Sequence, residues 1–324
     1  MGKFVVRYRD GLAAQWGLLH GTAPASPEDQ VVVSPLSLRA TTVADVIAAF
    51  DAGTFETGQS KTLTGRDLLS PITTDAVIYC QGLNYADHAA EADHHSRKTN
   101  LVFNKASSAL MGPFNDIIRP DDVELLDYEV ELGLVLRREI SQAVQVDSNN
   151  VGDYVAGVVL ANDVSARDTM FSATFFQWFE GKSARTFCPC GPVLWLLTPN
   201  EVEETLGNLE ISLSLNGEPR QRASTSQLIW KPAETIAHLS RRFDLKAGDL
   251  ILSGAPGGVT AAVTAKLVQI FRDLLFDDAG RRAALRAELK NGRPFMQPGG
   301  VVTTSLRALR SNEFLGGMLN VIVE

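Results

Sequence analysis

Between residues 126 and 136 the chain alternates at period two. Tyr128, Val130, Leu132, Leu134 and Leu136 fall on one side, while Asp127, Glu129, Glu131 and the small Gly133 fall on the other. A strand rises about 3.3 Å per residue, so carboxylates two apart sit roughly 6.6 Å apart along the backbone. Converging side chains at that spacing can grip one cation, and like charges this close repel unless something positive lies between them. A solvated edge strand with a polar outer face is the competing reading. Short apolar runs of the strand kind recur at 76–80, 101–104, 155–160, 193–197, 209–215 and 250–253, separated by Gly, Pro, Asn and Asp. Asn216-Gly217 marks a type I′ hairpin turn, and strand-like sequence returns at 301–306 and 318–323.

Helical spacing is confined to a few places. Residues 42–50 follow the capping pair Thr41-Thr42, and 233–242 reads as a helix. Residues 265–275 and 281–290 are rich in Ala, Leu, Arg, Lys and Glu and read as two surface helices joined at Asp277-Asp278-Ala279-Gly280. They form a helical insertion of about 261–290 in an otherwise strand-rich run. Residues 1–70, with strands at 3–8 and 15–20 and a Pro/Ser/Ala loop at 21–29, read as a small N-terminal α/β domain ahead of a main domain at 71–324. Many strands with few helices predict an α+β, β-rich core and not a doubly wound sheet. Gly254-Ala255-Pro256-Gly257-Gly258 lacks the lysine and helix start of a phosphate loop.

Composition narrows the partners. The 324 residues are 45% hydrophobic and 21% charged, the balance of a globular chain with a large core. A net charge of −8 and no Lys/Arg-rich run argue against nucleic acid and anionic membranes. No apolar stretch reaches the 18 or so residues of a membrane span, and residues 1–7 lack the apolar core of a signal peptide. The expectation is a soluble, cytoplasmic protein. Cys188-Pro189-Cys190 does not have zinc-knuckle or thioredoxin spacing, so these cysteines and Cys80 read as reduced thiols near a core.

Three further clusters can carry chemistry. In the stretch Asn84-Tyr85-Ala86-Asp87-His88-Ala89-Ala90-Glu91, His88 and Glu91 are three apart and share a face on a helix. Glu91 can then orient the imidazole as a general base, although the same spacing also describes an ordinary surface contact. Asn162-Asp163-Val164-Ser165-Ala166-Arg167-Asp168 follows an apolar strand and displays Asp163 at its end. Gly181-Lys182-Ser183 sets a lysine in a loop before a strand. Trp178, Phe175 and Phe176, between Arg167 and Lys182, read as packing ahead of substrate stacking. His94, His95 and His238 read as solvated surface residues.

In this order, with Phe103 to Pro113 ahead of the acidic strand, these stretches resemble the fumarylacetoacetate hydrolase family from about Gly82 to Val259, and again weakly over 298–323. The resemblance implies a rolled mixed β-sheet core and Mg²⁺ or Mn²⁺ held by Glu129, Glu131 and Asp163, with Asp127 in support. Three hard oxygen ligands without His or Cys suit those ions and not Zn²⁺. The resemblance also implies a His88–Glu91 dyad on a mobile lid, catalytic work for Lys182, and a substrate side formed by Arg167, Tyr85, Met170 and Ala255. Arg167 can equally neutralise Asp163 and Asp168, and both roles stand at this point. The family's Gly-Thr-Pro turn is here Gly254-Ala255-Pro256; Arg185, Met170 and Gly300 also depart from the pattern. Met170 and Ala255 make the pocket more apolar. The implied activity is hydrolysis of a C–C bond in a small ketonic substrate, a β-diketone or acylpyruvate. The alternatives are a lyase (decarboxylase or dehydratase) acting on a 2-oxo acid and a non-catalytic family member. The family's habit of dimerising implies a homodimer.

Overall fold

The computed structural model describes residues 2–86, 99–262, 264–290 and 292–324. At its centre is an 11-stranded sheet in which Val130–Leu136 lies between Val155–Asn162 and Leu250–Leu252. All residues of Val130–Leu136 and Val155–Asn162 are buried. The acidic stretch is therefore not an edge strand. Strands covered on both faces need apolar residues throughout, which is why 155–162 is a nearly unbroken apolar run.

Leu250–Leu252 pairs in parallel with Ile78–Gly82, which pairs antiparallel with Leu101–Lys105 at one end of the sheet. On the other side Leu194–Leu196 joins Val155–Asn162 to Lys3–Asp10. Ala13–His20, Gln30–Pro35 and Lys61–Thr64 carry the sheet to its other end. The first 70 residues thus share one hydrogen-bonded sheet with the rest, through Val5 opposite Leu194. Their helix, Val43–Asp51, is capped by Thr42 and Asp45 and buries Val43, Val46 and Ile47.

A second, five-stranded sheet runs in the order Glu218–Ser224, Leu209–Leu215, Val301–Ala308, Phe314–Val323 and Ile117–Ile118. Asn216 and Gly217 both have positive φ (53° and 78°), as a type I′ turn requires. One apolar core joins the two sheets, with Leu132 and Val158 from the first and Ile211 and Leu306 from the second. Parallel and antiparallel pairs mix within each sheet, and the larger sheet stays open at Lys61–Thr64 and Leu101–Lys105. The class is α+β and strand-rich, as the sequence predicts. Among the described residues, no helix is long and apolar enough to cross a membrane.

The helical segment forms Ala265–Asp273 and Asp278–Leu289. The second helix starts at Asp278 and not at Arg281, because Asp277 acts as its cap and accepts from Gly280 N. Nor are these two simple surface helices. Leu267, Leu285 and Leu289 build a separate small core with Leu125, Met170, Phe171 and Phe295. Two short helices that the periodicity does not reveal, Arg167–Ser172 and Trp178–Lys182, lie between that small core and the central sheet.

Candidate metal centre and cleft

The period-two stretch is not one continuous strand. Leu126–Asp127 pairs with Ser165–Ala166 in a ladder of its own, and Val130–Leu136 begins after Tyr128-Glu129. The break separates Asp127 from the other acids. Its carboxylate accepts from Tyr128 N (3.0 Å), Thr260 N (3.0 Å), Ala261 N (3.1 Å) and Arg167 Nε (2.9 Å). Four donors satisfy it, so Asp127 holds Arg167 and the 260–261 backbone in place and does not face a cation site.

Glu129, Glu131 and Asp163 do converge. Each offers a carboxylate oxygen within 4.8 Å of the others, and all three are buried. The strand register causes this: Val130 lies opposite Asn162, whose Oδ1 accepts from Glu129 N at 3.0 Å, while Asp163 N donates to Glu129 O at 2.8 Å. Glu131 is aimed by Gly254, whose N–H donates to Oε2 at 2.6 Å. Gly254 has φ +91°, and a Cβ there would lie 2.8 Å from Asn84 Cβ. That turn needs glycine.

Three cations surround the trio. Lys182 Nζ lies 2.9 Å from Glu129 Oε2 and 2.6 Å from Asp163 Oδ2. Arg167 joins Asp127 to Glu129, with Nη2 at 2.6 Å from Glu129 Oε1. Lys105 Nζ lies 2.8 Å from Asp163 Oδ1 and donates to the carbonyls of Phe187 (2.9 Å), Val164 (3.3 Å) and Lys182. Arg167 therefore pairs with Asp127 and Glu129, and not with Asp163 and Asp168 as the sequence reading allowed; Asp168 pairs with Arg286 at 2.9 Å. Lys182 sits in the last turn of the helix Trp178–Lys182 and not in a loop. Gly181 lets that helix approach Arg167–Ser172, since a Cβ there would lie 2.7 Å from Met170 Cβ.

Four buried carboxylates (Asp127, Glu129, Glu131 and Asp163) thus face three buried cations. Glu131 carries the imbalance. Burial raises its pKa well above the carboxylate range, and the charges of Asp163 and Glu129 raise it further against Lys182 and Gly254 N–H. Burial works to lower the pKa of Lys182, but Asp163 and Glu129 outweigh it and the ammonium stays charged. At 4.8 Å two like charges repel by about 3–4 kcal/mol at an effective dielectric near 20. Glu131 Oε1 is also buried with no hydrogen-bond partner. A crowded trio with an orphaned carboxylate oxygen fits a divalent ion, and the all-oxygen donor set fits Mg²⁺ or Mn²⁺. Cys80 and Cys188 lie close enough to feel Asp163. Burial, the larger cause, holds both thiols neutral and pushes Cys188 up to about 12.

Above the trio opens a cavity of about 290 Å³. Glu129, Arg167 and Lys182 line its floor, and Met170 and Ala255 line its walls with Trp178 and Phe176. Both aromatic residues therefore face the cavity as well as packing. Tyr85 is fully buried in the main core, bridged to Leu228, and is not on the cavity wall. Neither Arg185 nor Gly300 lines the cavity. His88 and Glu91 lie outside the described residues, as do His94 and His95. The approach to them is anchored by Asn84, whose amide donates to Ser253 O (2.8 Å) and Trp230 O (3.2 Å) and accepts from Trp230 N (2.7 Å). The sequence reading missed Lys105. Its one signal is a lone cation closing an apolar strand.

An open mixed sheet carries a buried acidic trio whose oxygens could hold a metal ion, beside a largely apolar cleft. The family model for the fumarylacetoacetate (FAA) hydrolase C-terminal domain matches residues 77–323, and the chain belongs to that family. Oxaloacetate tautomerase FAHD2A, mitochondrial, of Bos taurus is 38% identical over 191 residues, covering 59% of this chain and 59% of that protein. The fumarylacetoacetate hydrolase domain-containing protein 2 homolog of Dictyostelium discoideum is 38% identical over 196 residues, 59% of this chain and 63% of that one. The match thus spans roughly three-fifths of the length of these curated relatives. Among solved structures, fumarylacetoacetate hydrolase from psychrophilic Exiguobacterium antarcticum matches with TM-score 0.73 and 25% identity over 100% of this chain and 99% of that one. A 5-carboxymethyl-2-hydroxymuconate delta-isomerase from Mycobacterium smegmatis has TM-score 0.68 and 23% identity over 99% of both chains, a likeness of fold.

Proposed function

We propose that this chain is a divalent-metal-dependent enzyme that binds a 2-oxo acid and stabilises its enolate, with keto–enol tautomerisation as the reaction. The observation that carries the reading is the buried trio Glu129, Glu131 and Asp163, with the orphaned Glu131 Oε1, beneath a cavity floored by Arg167 and Lys182. Mg²⁺ or Mn²⁺ held by the trio would supply Lewis-acid polarisation of the keto oxygen. Arg167 commits Nε and Nη2 to Asp127 and Glu129 and keeps its Nη1 donors for the substrate carboxylate. Lys182 has three ammonium donors, two of them engaged by Glu129 and Asp163. The third serves the oxygen on which enolate charge develops. His88, oriented by Glu91, takes the proton from the carbon beside the carbonyl and returns it to oxygen. Relatives described as oxaloacetate tautomerases support this choice.

C–C hydrolysis of an acylpyruvate is the second reading, and the His88-x-x-Glu91 pair favours it. The same dyad would deprotonate water for attack on the distal carbonyl, and the bond would break to leave a carboxylic acid and an enolate. The test is to load the metal-stripped protein with Mg²⁺ or Mn²⁺ and to follow oxaloacetate and acylpyruvates by ultraviolet absorbance, with Glu129→Ala as the blank. Interconversion without bond cleavage supports tautomerisation. Oxygen from labelled water in a carboxylate product supports hydrolysis, and release of CO₂ points to a decarboxylase. Rates equal to the blank for every compound overturn both readings.

A further inference from the structure

The charged side chains on the described lining of the cavity are Glu129, Arg167 and Lys182. Apart from Gln81, whose amide donates to Asn100 and Thr235, the other lining side chains are apolar, among them Met170, Phe171, Phe176, Trp178, Val268 and Phe271. Val268 and Phe271 belong to the helix Ala265–Asp273, so the helical segment closes one side of the site. Phe171, Phe176 and Phe271 form a three-ring cluster with centroids 5.0–5.5 Å apart, two of the three contacts edge-on at 70° and 71°. Aromatic rings prefer such edge contacts, and the arrangement leaves ring surface for a further ring. Phe176 is 42% exposed and Val268 54% exposed, whereas Leu267, Leu285 and Leu289 of the same helical segment are buried. Phe176 and Val268 thus leave apolar surface open on the cavity side, while Phe175, Leu275 and Phe276 are exposed away from it.

The wall is held rigidly. Arg281 is fully buried and its guanidinium donates to the carbonyls of Leu274 (3.1 and 2.9 Å), Leu275 and Ala173. Thr174 Oγ1 donates to Asp278 Oδ1 at 2.8 Å, and Arg286 pairs with Asp168, the neighbour of Arg167. A buried arginine is costly unless every donor is matched, and here its donors tie the helical segment to the Ala173-Thr174 turn beside Phe176. A preformed wall of this kind binds with little ordering cost.

A second carboxylate on the far end of a substrate would meet no cation on the described walls, and burying it unpaired is unfavourable. We infer that the site takes a 2-oxo acid whose remote end is an aryl or bulky apolar group, and that Val268 and Phe271 set this specificity. The inference rests on the reading that Arg167, Lys182 and the metal hold the 2-oxo acid head.

The test measures binding and not turnover. Dissociation constants of phenylpyruvate and oxaloacetate are determined with Mn²⁺-loaded protein, for the wild type and for Phe271→Ala, Val268→Asp and Val268→Ile. The expected result is that phenylpyruvate binds about tenfold or more tighter than oxaloacetate, as burial of a ring's apolar surface predicts. The ratio is expected to fall toward one in Phe271→Ala and Val268→Asp and to hold in Val268→Ile, whose wall stays apolar. A wild-type ratio of one or less, or a ratio unchanged in both Phe271→Ala and Val268→Asp, overturns the inference. Because Val268 is half-exposed, its replacement does not threaten the fold. Preferential phenylpyruvate binding without turnover of any oxo acid overturns the proposed reaction and leaves the subsite standing. Tautomerisation of oxaloacetate with a ratio indifferent to the wall does the reverse.

Discussion

The floor and the wall of the cleft are built on opposite principles. The floor hangs from the central sheet: Glu129, Glu131 and Asp163 sit at or beside the ends of two fully buried strands, and their positions follow from the pairing of Val130 with Asn162. The groups there are polar and crowded, and all but Glu131, whose Oε1 has no hydrogen-bond partner, are held by several partners. The wall instead hangs from a helical segment with its own small core, and its cavity-facing side chains are apolar, partly open and free of hydrogen-bond obligations. A buried charge cluster fails as a unit when one member goes, because the remaining charges lose their partners. Apolar contacts change by increments. On the proposed reading, chemistry belongs to the floor and selectivity to the wall, and the helix Arg167–Ser172, with Arg167 on one and Met170 and Phe171 on the other, joins them.

The largest effects are expected on the floor. Glu131→Gln keeps the volume and removes a ligand charge. We expect Mn²⁺ binding, read by titration calorimetry, and turnover to drop on the order of 10³-fold, the scale of several kcal/mol of lost charge stabilisation. Full Mn²⁺ affinity in this variant would remove the metal from the floor. Next, Lys182→Met leaves Glu129 and Asp163 each short of a cation in a buried site. Denaturant unfolding of the metal-free protein should show a loss of about 3–5 kcal/mol, partly restored by saturating Mg²⁺. An unchanged midpoint would mean the floor tolerates single losses as the wall does.

Gly181→Ala acts where floor and wall meet. Its Cβ would press on Met170 Cβ at 2.7 Å and on Ala166 O at 3.0 Å. Overpacking of this kind costs about 1–3 kcal/mol, and thermal melting should record it; a neutral result would show that the two short helices slide freely. The smallest effect concerns the thiols beneath the floor. With Cys188 pushed up to about 12, the folded protein keeps this thiol neutral while an unfolded thiol ionises near about 8.5. The unfolded state is therefore favoured increasingly as pH rises from about 8.5 toward 12, and below that window the thiol has no effect on stability. At pH 8 the native protein should not react with a disulfide reagent, and rapid labelling of Cys188 would show that water reaches beneath the trio.

Several features were legible before any coordinates. Strand density, the Asn216-Gly217 turn and the Thr42 cap are local patterns, and the structure reproduces each; the acid trio, which brings Asp163 to Glu129 and Glu131, came from the family resemblance and also converges. Sequence reasoning went wrong where distant contacts decide. The alternation set Asp127 on the same face as Glu129 and Glu131, but its ladder with Ser165–Ala166 turns it toward Arg167, through which it supports Glu129 as the resemblance implied. The residues around Lys182 read as a loop because a five-residue helix has too few turns for a period to register. Lys105 carried little signal beyond its place at a strand end, since its four partners come from residues 58 to 82 positions away.

By itself, then, the order of residues determined which segments alternate, which form turns and where a helix is capped, because those properties depend on neighbours one to four positions apart. The tertiary structure alone decided which cation meets which acid, that Trp178 and Phe176 face a cavity, and that the helix Ala265–Asp273 walls it. Those facts depend on which surfaces are brought together once the two sheets close over their shared core, and no local pattern encodes that choice.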